Sequence, residues 1–102
     1  MMNATLDLLI VALCRDFERR RCAIEGALFG KRTLMEYRYI NCKMLDAAAE
    51  IVGEHQARRF ISEIGNRVGY AKCSDPYMSE AAYKRYKAEV KRNIALKLHL
   101  TE

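Results

Sequence analysis

Apolar residues return along this chain at intervals of three, four and seven, and no run of β-branched residues alternates with polar ones. Leu6, Leu9, Ile10, Leu13, Phe17, Ile24 and Leu28 make one such series, interrupted only by Arg20 and Arg21. Spacings of three and four place side chains on one face of an α-helix, whereas a half-buried strand needs a period of two. The pattern confines the chain to an all-α fold and predicts a first helix from about Thr5 to about Leu28. "FGKRT" then breaks the series. Thr33, with Glu36 three residues later, has the form of a capping box. It predicts a second helix with the stripe Tyr37, Ile40, Met44, Ala48 and Ile51, closed by Gly53. A third helix is expected from Glu54 to Val68, burying Ala57, Phe60, Ile61, Ile64 and Val68 and leaving Arg58, Arg59 and Glu63 off that face. After the only long connection, "GYAKCSDPYM", a fourth helix begins either at Asp75–Pro76 or with Ser79 as its cap.

A length of 102 residues, 51% hydrophobic and 30% charged, fits one all-helical domain over residues 1–102, a compact bundle of about four helices. Its expected core is Phe17, Ile40, Met44, Phe60, Ile64, Tyr83, Val90 and Ile94. The apolar run "LDLLIVALC" carries Asp7, is followed at once by "RDFERRR", and is too short to span a bilayer. No basic segment of the kind that opens a secretory signal precedes it, so a cytoplasmic protein without membrane contact is expected. Leu8 and Val11 fall opposite the Leu6, Leu13, Phe17 stripe. A first helix apolar on both sides is either buried twice or part of a subunit contact, which predicts a homodimer through Leu8 and Val11.

Chemistry-bearing patterns are few. Cys14, Cys22, Cys42 and Cys73 lie 8, 20 and 31 residues apart, which fits neither a zinc site nor a redox pair, and they read as free thiols acting as small hydrophobes. "GALFGKRT" has three residues between its glycines and Arg32 between lysine and threonine, so it is not a phosphate loop. Asp46, Glu50 and Glu54 near His55 lack the Glu-x-x-His pairs of a di-metal bundle and read as a solvated acidic face. The four arginines of "RDFERRR" are offset by Asp16 and Glu18, and ion pairing along the helix is their expected fate. With no nucleophile or acid beside a recognisable partner, no enzyme activity, cofactor, metal or small-molecule substrate is expected.

The last helix stands apart. On a helix of residues 79–99, Tyr83, Tyr86, Val90, Ile94 and Leu98 form one arc. Opposite it lie Ala81, Ala88 and Ala95, with Arg85 and Arg92 on the same side and Lys84 and Lys91 beside them. Six cations face two anions in this segment, so four of the chain's five net positive charges fall there. Clustered cations separated by small side chains suit the sugar-phosphate backbone and grooves of DNA.

"MSEAAYKRYKAEVKRNIALKLHL" resembles the last helix of phage-encoded late transcription regulators of the ArpU and RinA type, whose C-terminal part is a helix-turn-helix similar to region four of bacterial σ factors. Ser79, Glu80, Tyr83, Arg85, Tyr86 and Lys87 match the family's opening segment, and Ile94, Ala95, Leu98 and Leu100 its ending. The resemblance implies a transcription regulator in which the last two helices form a modified helix-turn-helix and residues 79–87 lie toward the bases of duplex DNA. A helix-turn-helix joint normally spans three or four residues, and "GYAKCSDPYM" is longer. The candidate DNA-binding residues are Ser79, Lys84, Arg85, Lys87, Lys91 and Arg92. The alternative is a non-enzymatic helical adaptor, its basic face serving solubility and its apolar surplus binding a protein partner.

Overall fold

The computed structural model describes residues 2–73 and 78–101. Five α-helices follow one another: α1 (Ala4–Arg15), α2 (Phe17–Gly26), α3 (Lys31–Val52), α4 (Glu54–Gly65) and α5 (Glu80–Lys97), with a short 3₁₀ turn at Tyr70–Lys72. No strand occurs among the described residues. The 22-residue α3 is the spine, about 33 Å long. Helices α2, α4 and α5 all lie on it, and α1 closes the assembly against α4 and α5. The all-α fold is therefore the one the periodicity dictates. Seven of the eight expected core residues are buried, and Ile40 packs against them half-buried.

Local departures from the sequence pattern have physical causes. The expected first helix is two, bent at Asp16 (φ −88°, ψ 1°), although Asp16 N–H still reaches Ala12 O (3.1 Å) and Arg20 N–H reaches Asp16 O (3.0 Å). The bend turns Arg20 inward. Its Nε donates to Asn41 Oδ1 (2.7 Å) and its Nη2 to Leu13 O (2.6 Å), while Asn41 Nδ2 donates to Phe17 O (3.2 Å). Arg20 and Asn41 are both only 6% exposed. The residue that interrupts the apolar stripe thus occupies a core position, as a polar clasp between the bend and α3.

The Thr33–Glu36 capping box does not form. Helix α3 begins three residues earlier than a Thr33 cap would set it, at Lys31 on the extended Gly30, so Thr33 lies inside the first turn and Glu36 reaches Arg32 instead (3.8 Å). Gly53 (φ 85°, ψ 160°) alone joins α3 to α4 in a conformation open essentially to glycine. Helix α4 stops at Gly65 rather than Val68, because Arg67 enters the left-handed region (φ 53°) and Val68 N–H turns back to Glu63 O (2.9 Å). Ser79 caps α5, its Oγ accepting from Ala82 N–H (3.1 Å). The alternative start at Asp75–Pro76 lies outside the described residues. The joint from α4 to α5 spans residues 66–79, includes the 3₁₀ turn, and sets α5 chiefly along α3. The short turn of a helix-turn-helix is absent.

Val11 is 4% exposed and belongs to the core, whereas Leu8 is 58% exposed. Leu8 and Val11 therefore do not share an outer face, and the paired contact expected of them has lost one of its two residues. The thiol of Cys14, packed in the same core, is pushed up to about 12 by burial, as suits an inert hydrophobe. Helices α1 and α4 cross at Gly65, where an added Cβ would lie 2.5 Å from Arg15 N and 2.7 Å from the Cys14 carbonyl carbon. These are backbone atoms, so relief requires moving a helix. Gly65→Ala is expected to destabilise by about 1 to 3 kcal/mol. Gly69→Ala, with nothing within 4 Å and an ordinary φ of −84°, should stay within about 0.5 kcal/mol. Chemical denaturation of both variants decides it, and equal losses would contradict the close crossing.

Candidate nucleic-acid interface

Helix α5 buries Tyr83, Val90, Ile94 and Ala95, with Tyr86 and Leu98 partly covered. The apolar arc is the inner face, as its spacing requires. Ala95 is the exception, being fully buried although the helical wheel puts it outside. Near the C-terminal end α5 lies close enough to α3 for Asn93 Nδ2 to donate to Ala47 O (2.8 Å) and for Lys97 to pair with Glu50 (2.6 Å). Ala95, on another side of the helix, lines a cleft with Met2, Asn3 and Leu6 at the start of α1, and that contact accounts for its burial.

The six candidate residues divide into two groups. Ser79 serves as the helix cap. Lys87 Nζ donates to Val68 O (2.8 Å) and sits 4.7 Å from the centre of the Tyr83 ring, so it caps the carbonyl end after α4. Burial, then the nearby Lys91 charge, holds its pKa below the usual lysine range. Lys91 pairs with Asp7 of α1 at 2.8 Å, part-buried. These three hold the fold together at α5, which removes them from a freely presented face.

Lys84, Arg85 and Arg92 remain exposed. Lys84 pairs along the helix with Glu80 (3.2 Å), a contact of little energy at the surface. The Arg85 guanidinium lies 5.0 Å from the centre of the Tyr86 ring. Arg85 and Arg92 pair with no carboxylate among the described residues. At about 100° per residue, Ala81, Arg85, Ala88 and Arg92 form one outward line, and all four are exposed.

Two carboxylates important at this helix were not legible as such. Glu63, expected outside, is buried and accepts from Tyr83 OH (2.6 Å), with Arg59 at 3.5 Å. Burial and then this bond push the tyrosine hydroxyl above its ordinary range. Asp7 is 84 residues from its partner Lys91. With Arg67, Lys87 and Lys91, Asp7 lines a cleft between α1, the end of α4 and α5, three cations around one carboxylate. Two of the four "RDFERRR" arginines follow the expected ion pairing: Arg19 meets Asp16 (3.7 Å) and Arg21 holds Glu18 and Glu25 (2.7 Å each), while Arg58 adds a contact to Glu18 (2.6 Å). Arg20 turns into the core instead, and Arg15 donates to Gly65 O (3.4 Å). The bond from Arg21 holds the Glu18 carboxyl below its usual range. Comparison with family models, with curated proteins and with solved structures finds no match to this chain.

Proposed function

We propose that this chain is a small DNA-binding transcription regulator of the phage-associated kind its last helix resembles, presenting the outer face of α5 to duplex DNA. The observation that carries the reading is the exposed line Ala81–Arg85–Ala88–Arg92, in which two guanidinium groups without carboxylate partners alternate with methyl side chains. Guanidinium groups bind phosphate in bidentate fashion, and alanines allow the helix to approach the backbone. The cations around Asp7 add positive potential beside it. Because α5 rests on α3 rather than on a preceding short helix, α3 is the support that fixes its presentation.

The division among the cations makes the reading testable. Binding to duplex DNA should weaken steeply with salt, the log-log slope being about −0.9 for each phosphate neutralised. Arg92→Ala should weaken binding to every sequence and lessen that slope by about one. Arg85→Ala, nearer the start of the helix, should also relax sequence preference. Lys91→Ala should instead lower folding stability, because it leaves Asp7 unpaired, with the slope nearly unchanged. Titrating random duplexes and fragments from the chain's own genomic neighbourhood across a salt series reads all three. Absence of wild-type binding at low salt would remove DNA as the partner.

A further inference from the structure

Helix α3 has a second, half-exposed apolar face on which none of the other described helices lies. Its inner side carries Met44, Ala47 and Ala48, all fully buried, while on the opposite side Met35 is 57% and Tyr39 49% exposed, followed by the exposed Cys42. Single exposed apolar residues need no explanation, but a row of them does. Arg32, Met35, Tyr39, Cys42 and Asp46 follow one another at spacings of three, four, three and four. That is the seam spacing of a helix that packs against another helix. The seam runs about 21 Å from Arg32 to Asp46, close to four turns.

The flanks of the seam say what kind of helix fits. In heptad terms the flanking positions hold Lys31 and Arg38 on one side and Glu36 and Lys43 on the other. Lys31 and Arg38 are exposed and pair with no carboxylate among the described residues, while Lys43 leans over the Tyr39 ring at 5.7 Å. Flanking charges select partner and orientation in paired helices. A second copy of the same face would set Arg38 against Lys43 in a parallel pair and the Lys31–Arg38 flanks against each other in an antiparallel one, with Glu36 offsetting only part of this, whereas an acidic helix meets all three cations favourably. A lipid surface would have to desolvate Asp46, which lies in line with the apolar residues.

We propose that the outer face of α3 is a docking seam for an acidic amphipathic helix of a partner protein, with Met35 and Tyr39 as apolar anchors and Lys31, Arg38 and Lys43 facing its carboxylates. This seam is separate from the α5 face and stands independently of DNA binding. The pairing follows the helix-in-groove mode, in which anchors recur at helical spacing.

Two synthetic four-turn helices serve as probes: one with leucine at three-four spacing and glutamate on both flanks, the other with lysine replacing every glutamate. The glutamate peptide should bind the full chain, and the lysine peptide should bind at least about tenfold more weakly. Tyr39→Asp or Met35→Asp should weaken the glutamate peptide by at least about tenfold while the protein stays folded with a thermal midpoint only a few degrees lower, since both side chains are about half exposed and aspartate costs a little helix propensity. Leu96→Asp, on α5, should have no effect. Arg38→Glu combined with Lys43→Glu should reverse the preference toward the lysine peptide, an outcome that loss of folding cannot mimic. Equal binding of both peptides, or no binding of either, overturns the proposal. Recruitment to phosphatidylserine vesicles that Tyr39→Asp abolishes would assign the face to a membrane, and self-association lost in the same variant would assign it to a second copy; each overturns it too.

Discussion

Phe60→Ala should destabilise the protein by about 3 to 5 kcal/mol, the largest loss expected of any single truncation in its core. Phe60 is fully buried, and its ring meets Tyr83 at 5.8 Å and Tyr86 edge-on at 6.4 Å, with the Arg59 guanidinium 4.8 Å from its centre. It joins α4 to α5, two helices whose direct contact is otherwise slight. Truncation therefore leaves a void and also separates aromatic rings whose pairing is worth about 0.5 to 1.5 kcal/mol beyond burial. Against a typical domain stability of about 5 to 15 kcal/mol, that is a third or more in many cases. Urea denaturation should show the midpoint falling at constant slope. Phe60→Leu, which keeps most of the volume, should cost less than about 1.5 kcal/mol. A loss under about 1 kcal/mol for the alanine variant would mean that α5 is not anchored through this ring.

The parts of the fold that could be read from the sequence are those set by local spacing. The apolar arcs of α3, α4 and α5 are inner faces, Gly53 ends α3, and Ser79 caps α5, because each follows from residues within one or two helical turns. What could not be read depends on partners far away in sequence. Glu63 looks like a solvent-facing carboxylate until Tyr83 is folded onto it, and Lys91 looks like a surface cation until α1 brings Asp7 beside it. Val11 looks surplus for the same reason: the wheel of α1 shows two apolar sides, and only packing between α4 and α5 shows that one of them is needed.

The same reasoning narrows the candidate DNA-binding face. By composition alone Lys87 and Arg92 are two cations of the same helix, and both are candidates for the face. In the folded chain Lys87 donates to Val68 O while Arg92 has no carboxylate partner among the described residues, so only the second can take up a phosphate without breaking an existing contact. Composition located the charge on α5, and tertiary contacts decide which of it is available. The Met35–Tyr39 seam went unread because those residues lie off the one stripe that a core requires. Their importance emerges only when α3 is seen to have its partners on the other side.

Arg20 is where the sequence pattern misleads most, and where a second large effect is expected. Arg20→Ala should destabilise by about 3 to 4 kcal/mol, although the substitution removes a charge from the interior. Burial holds the guanidinium pKa below its usual range, yet arginine remains charged at any ordinary pH and needs fixed acceptors. Asn41 Oδ1 and Leu13 O supply them, and Met44 Sδ lies 3.2 Å from Nη2. Removing the side chain strands both oxygens in a dry site, at about 1 to 3 kcal/mol each, and opens a void between the α1–α2 bend and α3. Arg20→Lys should recover little, because a single ammonium cannot reproduce the fork that reaches both acceptors. Arg20→Met with Asn41→Leu should recover more than either single substitution allows, since the two polar groups then disappear together. A double-mutant cycle in urea measures this coupling. Strictly additive losses would show that the clasp is incidental and that the bend at Asp16 is held by apolar packing alone.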